Sequence, residues 1–270
     1  MFADLHIHTN ASDGTWGVPE LLESIKKSLI GLFSVTDHDT VENTGAAAAE
    51  AAKNGVFYLP GVEIACAYRE KEYHLVAYGI DASNRQLSDL MSHNRNVRED
   101  YNTKIVKFTE SLDSRISLRQ YREYRHDPGR GGWKVLNFLL DKGIIGGLPE
   151  YFTLVQNLKE TKLFKEPQTA IRIIKAAGGV PFLAHPNANY NGGTMPEEEL
   201  MKWAGFGIDG VECYSSYNAP GDERIYLDFC RRNHLLISGG SDCHGSFLPK
   251  KLGEPPITLE MLNLGNLFQK

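Results

Sequence analysis

The N-terminal stretch MFADLHIHTNASDG, residues 1–14, combines a short strand with a polar loop. The apolar residues between Phe2 and Ile7 favour an extended chain, in which alternate side chains point to opposite faces. His6 and His8 therefore share one face, and Leu5 and Ile7 share the other. Two imidazoles on one face suit a divalent metal, although an HxH pair alone is a weak signal.

A second pair with the same spacing lies near the other end of the chain. Asp242 and His244 are two residues apart in GGSDCHG, residues 239–245, beyond a predicted strand. A buried carboxylate such as Glu63 costs several kcal/mol unless it is paired or bound to a cation. Further candidate ligands at or near predicted strand ends are Asp13, His38, Glu63, His74 and His185.

Strand and helix patterns alternate around these motifs. Helices are predicted over residues 19–28, ended by Gly31, and over 44–55, ended by Asn54-Gly55. Residues 85–166 instead show charged, helix-period sequence, which predicts an inserted helical subdomain covering the active site. Residues 1–84 and 167–270 then form one α/β domain. About seven strand–helix units predict a barrel of parallel strands with its active site at the strand carboxyl ends.

Composition limits the class of protein. The 270 residues, 41% hydrophobic and 23% charged, describe a folded globular chain rather than a disulfide miniprotein or a disordered one. No run of about 18 apolar residues could span a membrane. The net charge of -5 provides no overall basic field for duplex DNA. Because the four cysteines form no CxxC pair and the N-terminus has no signal-peptide pattern, we expect a reduced, cytoplasmic protein.

Six motifs resemble, in their order, the PHP (polymerase and histidinol phosphatase) family: DLHIHTNASDG, VTDHD, GVEI, YHLVAYGID, AGGVPFLAHP and GGSDCHG. Within the family, the chain is most similar to stand-alone phosphoesterases that act on nucleoside 3',5'-bisphosphates and 5'-phosphorylated oligoribonucleotides. Those enzymes also carry a helical insertion between the YHLVAYG and AHP segments. The resemblance implies an α/β fold, a distorted (β/α)7 TIM-like barrel, and up to three divalent metals.

The same resemblance implies the metal ligands. One metal would be held by His6, His8, Glu63 and Asp242, a second by Asp13, His38 and His244, and a third by Glu63, His74 and His185. A metal-bound hydroxide held by Glu63 and Asp242 would attack phosphorus. Six neutral imidazoles and three carboxylates leave three divalent ions with a surplus of about +3, which attracts phosphate. A nitrogen and oxygen ligand set favours Mn, with Zn or Fe as substitutes.

Substrate contacts are predicted less directly. Arg95 and Arg98 match an RxxR pair that contacts substrate phosphate in the family, although a solvated helix face is the alternative. The segment GGWK, residues 131–134, departs from the family pattern, so the second phosphate contact falls to Lys134 or to Arg130. Trp133 either stacks on a base or belongs to the core.

Two aspartates flank His38. Asp37 and Asp39 are predicted to accept hydrogen bonds from ligand imidazoles, or else to cap the loop. The expected partner of the protein is a small phosphorylated substrate, a nucleotide or a short RNA 5' end, with no membrane or protein partner. Two other functions stay open: hydrolysis of histidinol phosphate by the same metals, and a non-catalytic metal-binding module.

Overall fold

A computed structural model describes residues 1–190 and 192–268. Two sheets form its centre, with strand orders β3-β2-β1-β9 and β4-β5-β6-β7-β8. The strands are β1 (Phe2–Asp4), β2 (Ile30–Phe33), β3 (Phe57–Tyr58), β4 (Gly61–Tyr68), β5 (Lys71–Tyr78), β6 (Val180–Leu183), β7 (Gly210–Ser215), β8 (Leu236–Gly240) and β9 (Ile257–Thr258). The helices are α1 (Val18–Lys27), α2 (Thr44–Asn54), α3 (Arg85–Leu112), α4 (Leu118–Glu123), α5 (Lys134–Asp141), α6 (Leu148–Leu158), α7 (Pro167–Ala176), α8 (Pro186–Asn189), α9 (Glu197–Phe206) and α10 (Asp222–Arg232).

The first sheet is built from strand–helix units. β1, β2 and β3 are parallel and are connected by α1 and α2. As predicted, α2 ends at Gly55, whose φ of +65° suits a residue without a Cβ. The prediction that Gly31 ends α1 is wrong, because the turn is made at Leu29 with φ +56° and Gly31 lies inside β2. A Cβ at Gly31 would collide with the side chain of Met1.

The second sheet is mixed. β6, β7 and β8 are parallel, but β5 is antiparallel to both β4 and β6. Parallel strands throughout were therefore a wrong prediction for these two pairings, and also for β1 and β9 of the first sheet, which are antiparallel. The reason lies in the connection between β4 and β5, which is only Arg69-Glu70, both at positive φ. A two-residue turn joins antiparallel neighbours, whereas parallel ones need a longer crossover.

Backbone hydrogen bonds connect the two sheets along both sides. At the carboxyl ends of β1 and β8, the N–H of Leu5 donates to Gly239 O at 3.2 Å and the N–H of His8 donates to Cys243 O at 2.9 Å. On the other side, the N–H of Asp39 donates to Glu63 O at 2.9 Å. These bonds bring the loops that follow β1, β2 and β8 against β4, and so gather the candidate ligands at one place.

Residues 85–166 form α3 to α6 with one 3-10 turn, in agreement with the helical pattern of the sequence. Their apolar side chains pack into a cluster of their own that includes Tyr101, Tyr121, Phe138 and Tyr151. The long helix α3 also packs against α7, which attaches the segment to the sheets. No helix within the described residues is long and apolar enough to cross a membrane.

Candidate metal centre

Four buried side chains from three places in the chain converge beyond the strand ends. His6 and His8 follow β1, Glu63 belongs to β4, and Asp242 follows β8. The Nε2 of His6 lies 3.3 Å from both Glu63 Oε2 and Asp242 Oδ1. The Nε2 of His8 lies 3.2 Å and 3.0 Å from the same two oxygens. The structure therefore brings the first predicted ligand set together.

A second group surrounds Asp13. Its Oδ1 is 3.4 Å from His244 Nε2, and its Oδ2 is 3.7 Å from His38 Nε2. His8 also belongs to this group, because its Nδ1 is 3.5 Å from Asp13 Oδ1. The three residues predicted for the second metal are thus neighbours, and His8 lies between them and the first group.

Glu63 is at the centre of the third predicted set. Its Oε1 lies 3.0 Å from His74 Nδ1 and 2.8 Å from His185 Nε2, while its Oε2 lies 3.0 Å from His38 Nδ1. The ligand atoms of His38, Glu63 and His74 are all within 4.8 Å of one another. His38 therefore lies between the second and third sets. The carboxylate of Glu63 is shared by imidazoles that follow β1, β2 and β6 and by His74, which lies within β5.

Several buried atoms of this cluster lack a hydrogen-bond partner within the described chain. They are Nε2 of His6 and His8, Nδ1 of His38 and His74, and Oε2 of Glu63. Each such atom costs about 1–3 kcal/mol, so their concentration at one point indicates that another group satisfies them. Ligands about 2.1 Å from an ion lie about 3.0–3.5 Å apart, as these atoms do. The cluster therefore fits divalent metals, and its donors, nitrogen and oxygen without thiolate, suit Mn, Zn or Fe.

The electrostatics point the same way. Burial raises the pKa of Glu63, but the surrounding imidazoles, His38 foremost, outweigh it and hold that pKa well below its usual range. Burial lowers the pKa of His8, but the adjacent carboxylates of Asp242 and Glu63 raise it to about 10. The carboxylates thus draw a proton onto His8, whereas at His38 burial outweighs them and lowers the pKa to about 4.

Glu212 contacts the cluster from behind and was missed by the sequence analysis. It lies on β7, is fully buried, and its Oε2 is 2.9 Å from His6 Nδ1. The same oxygen accepts the backbone N–H of His185 at 2.9 Å. A carboxylate behind a ligand imidazole directs the other ring nitrogen toward a metal. The available signal was a lone charge in the apolar strand GVECY.

Asp37 and Asp39 do not accept hydrogen bonds from ligand imidazoles, which corrects the prediction. Asp37 accepts instead from the backbone and hydroxyl of Thr9 and from the hydroxyl of Ser12. Asp39 accepts from the amide of Asn94 at 2.6 Å and from the guanidinium of Arg98 at 3.3 Å. The reason is that Asp39, at φ +50°, turns away from the cluster toward α3.

Two adjoining cavities of about 610 and 680 Å³ lie over the cluster. Both are lined by Asp13, His38, Glu72, His74, Trp133 and Phe152. We call the first the arginine limb, because it is also lined by Arg95, Arg98, Tyr101, Asn102 and Lys162. We call the second the lysine limb, because it is also lined by His185, Asn189, Tyr217, Phe247 and Lys250.

Arg98 is held in place inside the arginine limb. Its Nη1 lies 2.8 Å from Glu72 Oε1, an oxygen that is also 3.1 Å from His74 Nε2. Arg95 donates to the backbone oxygen of Asp39. Glu72 thereby links the guanidinium of Arg98 to one of the imidazoles of the cluster, a role that the sequence analysis did not foresee.

The other two predicted phosphate contacts lie elsewhere. Arg130 pairs with Asp141 at 2.9 Å, and the ammonium of Lys134 lies 4.6 Å from the centre of the Tyr121 ring. Neither is among the described residues that line the two limbs. The register of α5 explains this, because its apolar side packs into the helical segment and directs Trp133, not Lys134, to the cavity.

Comparison with known families agrees with this site. The PHP domain profile matches residues 4–174. A 3',5'-nucleoside bisphosphate phosphatase from Chromobacterium violaceum is 25% identical over 254 residues, covering 89% of this chain and 86% of that protein. The 5'-3' exoribonuclease Rnm of Salmonella typhimurium is 27% identical over 262 residues, covering 89% and 84%.

Two solved structures share the fold over most of the chain. A protein from Bifidobacterium adolescentis that carries the provisional name of a metal-dependent phosphoesterase superposes with a TM-score of 0.79 at 26% identity, over 93% of this chain and 91% of that one. A protein from Chromobacterium violaceum described as an amidohydrolase, with bound sulfate and no metal, superposes with a TM-score of 0.77 at 25% identity, over 90% and 88%.

Proposed function

The chain belongs to the PHP domain family and is a metal-dependent hydrolase of phosphoric esters, and from this premise we propose that it acts on nucleoside 3',5'-bisphosphates and on short 5'-phosphorylated RNA. The observation that carries the proposal is that Arg95 and Arg98 line the same cavity as the imidazole and carboxylate cluster. A substrate with two phosphates can therefore place one at the cluster and one at the arginines.

We assign the nine clustered residues as ligands of up to three divalent ions, with Mn as the resident metal. Support comes from the separations within the cluster and from its buried atoms without partners. When bound, such ions lower the pKa of water toward neutrality and neutralise phosphoryl oxygens. The ligand set is His6, His8, Asp13, His38, Glu63, His74, His185, Asp242 and His244.

The chain's own residues then orient the substrate. Asp39 and Glu72 hold the guanidinium of Arg98 through Nε, Nη1 and Nη2, which leaves the remaining N–H donors of its fork for a phosphate. Trp133 and Phe152 form an aromatic wall between the two limbs, where a base can stack. Glu212 keeps His6 in one orientation through its Nδ1.

The architecture that we propose is a distorted (β/α)7 barrel from residues 1–84 and 167–270, with 85–166 as an inserted subdomain covering the active site. The backbone hydrogen bonds on both sides of the two sheets support the barrel. The separate apolar cluster of the helical segment supports the division. Its α3 and α6 contribute Arg95, Arg98 and Phe152 to the cavity, as a covering subdomain should.

The test is product analysis after incubating the Mn-loaded protein with adenosine 3',5'-bisphosphate. We expect AMP and inorganic phosphate, with turnover lost after treatment with EDTA. His8→Ala should remove turnover and lower the bound metal, whereas His93→Ala, outside the cluster on α3, should change neither. Hydrolysis of histidinol phosphate without hydrolysis of the nucleotide would refute the proposal in favour of that alternative substrate.

A further inference from the structure

Lys250 is a largely buried cation at the edge of the cluster and is not one of the proposed metal ligands. Its Nζ donates to Asp242 Oδ2 at 2.5 Å and lies 3.5 Å from the centre of the Tyr217 ring. The hydroxyl of Tyr217 donates to the same oxygen at 3.1 Å. Only 15% of the Lys250 side chain is exposed, and the exposed part lines the lysine limb.

Asp242 divides its two oxygens between the cluster and this pair. Oδ1 faces the imidazoles of His6 and His8, while Oδ2 faces Lys250 and Tyr217. The ammonium is therefore separated from the reaction centre by a single carboxylate group. An ammonium has three N–H donors, and Asp242 takes one of them. Lys250 thus retains donors for an anion that enters the lysine limb.

The two limbs share six lining residues and differ in the others. The others of the arginine limb come mainly from the loops after β1 and β2 and from α3 and α6. The others of the lysine limb come mainly from the segments that follow β6, β7 and β8. Arg98 reaches the cluster through Glu72 and His74, whereas Lys250 reaches it through Asp242. A substrate that uses both must extend across the reaction centre.

The number of substituents on the scissile phosphate decides whether both limbs are filled. In a bisphosphate, the 3'-phosphate at the cluster carries one nucleoside, which reaches into the arginine limb with its 5'-phosphate. In a phosphodiester, the same phosphate carries a second nucleoside, which needs space on the other side. A cavity of about 680 Å³ is large enough for such a group.

We infer that the lysine limb binds the nucleotide on the 3' side of the scissile phosphodiester. Lys250 then contacts the next phosphate of a short 5'-phosphorylated oligonucleotide. This inference rests on the proposed function and specifies its substrate. In the hydrolysis, the oxygen of water bonds to phosphorus and the bond from phosphorus to the 3' oxygen breaks. One proton of water passes to the 3' oxygen, which yields a nucleoside 5'-monophosphate and a 5'-phosphorylated oligonucleotide shortened by one residue.

The test compares two substrates, adenosine 3',5'-bisphosphate and 5'-phosphorylated triadenylate, with the Mn-loaded protein. We expect Lys250→Ala to lower kcat/KM for the trinucleotide about tenfold more than for the bisphosphate, since only the trinucleotide has a phosphate for Lys250 to contact. Lys251→Ala is the matched control, because Lys251 is 77% exposed and pairs with Glu254. It should change neither value by more than about twofold.

Tyr217→Phe distinguishes the loss of a contact to the substrate phosphate from the loss of a contact that positions Asp242. The variant keeps the ring and removes the hydroxyl that acts on Asp242, so both substrates should lose the same factor. In the metal-free protein, where no turnover occurs, calorimetry should show that Lys250→Ala weakens binding of the trinucleotide more than binding of the bisphosphate.

An equal loss on both substrates in Lys250→Ala would mean that Lys250 acts only by orienting Asp242, and would overturn the inference. If the wild-type protein hydrolysed the bisphosphate but not the trinucleotide, the inference would fail and the proposed nucleotide activity would stand. If it hydrolysed neither, the proposed function would fail together with it.

Discussion

Replacing Glu212 with glutamine isolates the contribution of one buried carboxylate to the cluster. The side-chain volume is unchanged, so the substitution leaves no cavity. The oxygen that faces His6 Nδ1 at 2.9 Å also accepts the backbone N–H of His185, and an amide oxygen in its place can still accept from both, but the negative charge is lost. A neutral acceptor makes His6 a weaker ligand than a carboxylate does, while the proposed ligands themselves stay intact.

The expected magnitude follows from this geometry. Removing a carboxylate that orients a ligand imidazole costs about 10- to 100-fold in metal affinity. This corresponds to about 1.4–2.8 kcal/mol of binding free energy. Since only the ion next to His6 depends on this contact, the affinity of one site should fall, and the other sites should change less.

The assay is calorimetric titration of Mn into protein stripped with EDTA. Glu198→Gln is the matched control, because it makes the same chemical change in a side chain that is 83% exposed. Turnover of the Glu212→Gln protein should recover when the Mn concentration is raised, since the ligands are intact. Unchanged affinity at every site would refute the role assigned to Glu212.

Three further outcomes are expected. Burial lowers the pKa of His74, but Glu63 raises it to about 9, so folding favours the protonated ring. In the metal-free protein His74 should contribute a loss of up to about 1.4 kcal/mol of unfolding free energy per pH unit between about pH 6.5 and 9, and His8, whose pKa is raised to about 10, should add to it. Urea unfolding at both pH values measures this, and equal stability would contradict it. Arg98→Ala should raise KM for adenosine 3',5'-bisphosphate about tenfold, whereas Arg130→Ala should leave it within about twofold because Arg130 pairs with Asp141 on the surface. Steady-state kinetics measures both, and an equal rise in KM for the two variants would refute this. Trp133→Ala should raise KM for adenine nucleotides at least about fivefold if the ring stacks on a base, and an unchanged KM would show that it only packs in the wall.

Much of the candidate site could be predicted because local spacing follows from covalent geometry. In an extended chain, residues i and i+2 point the same way, so the pair His6 and His8 had to share one face. The connection of β1, α1 and β2 was likewise readable, because the apolar period and helix ends are local signals. The family resemblance added the ligand sets, whose members the structure brings together around Glu63 and Asp13.

The sequence pattern did not predict the direction of every strand. The segments that form β4 and β5 have the apolar character of buried strands, which is the same for parallel and antiparallel pairing. Only the two-residue connection Arg69-Glu70 makes them antiparallel, and its positive φ values belong to residues that rarely signal a turn. The direction of the Lys134 side chain could not be predicted either, because it depends on how α5 packs within the helical segment.

The sequence by itself determined that metal-ligating side chains recur on or just after the strands, since that spacing depends on neighbours a few residues apart. It did not determine where the strands end, because β1 ends at Asp4 rather than at Ile7 and His74 lies inside β5. The tertiary structure alone decided which groups support those ligands. His6 meets Glu212 across 206 positions of sequence, and Asp242 meets Tyr217 across 25. Such contacts depend on how whole strands and loops pack against one another, and no local period in the chain encodes that packing.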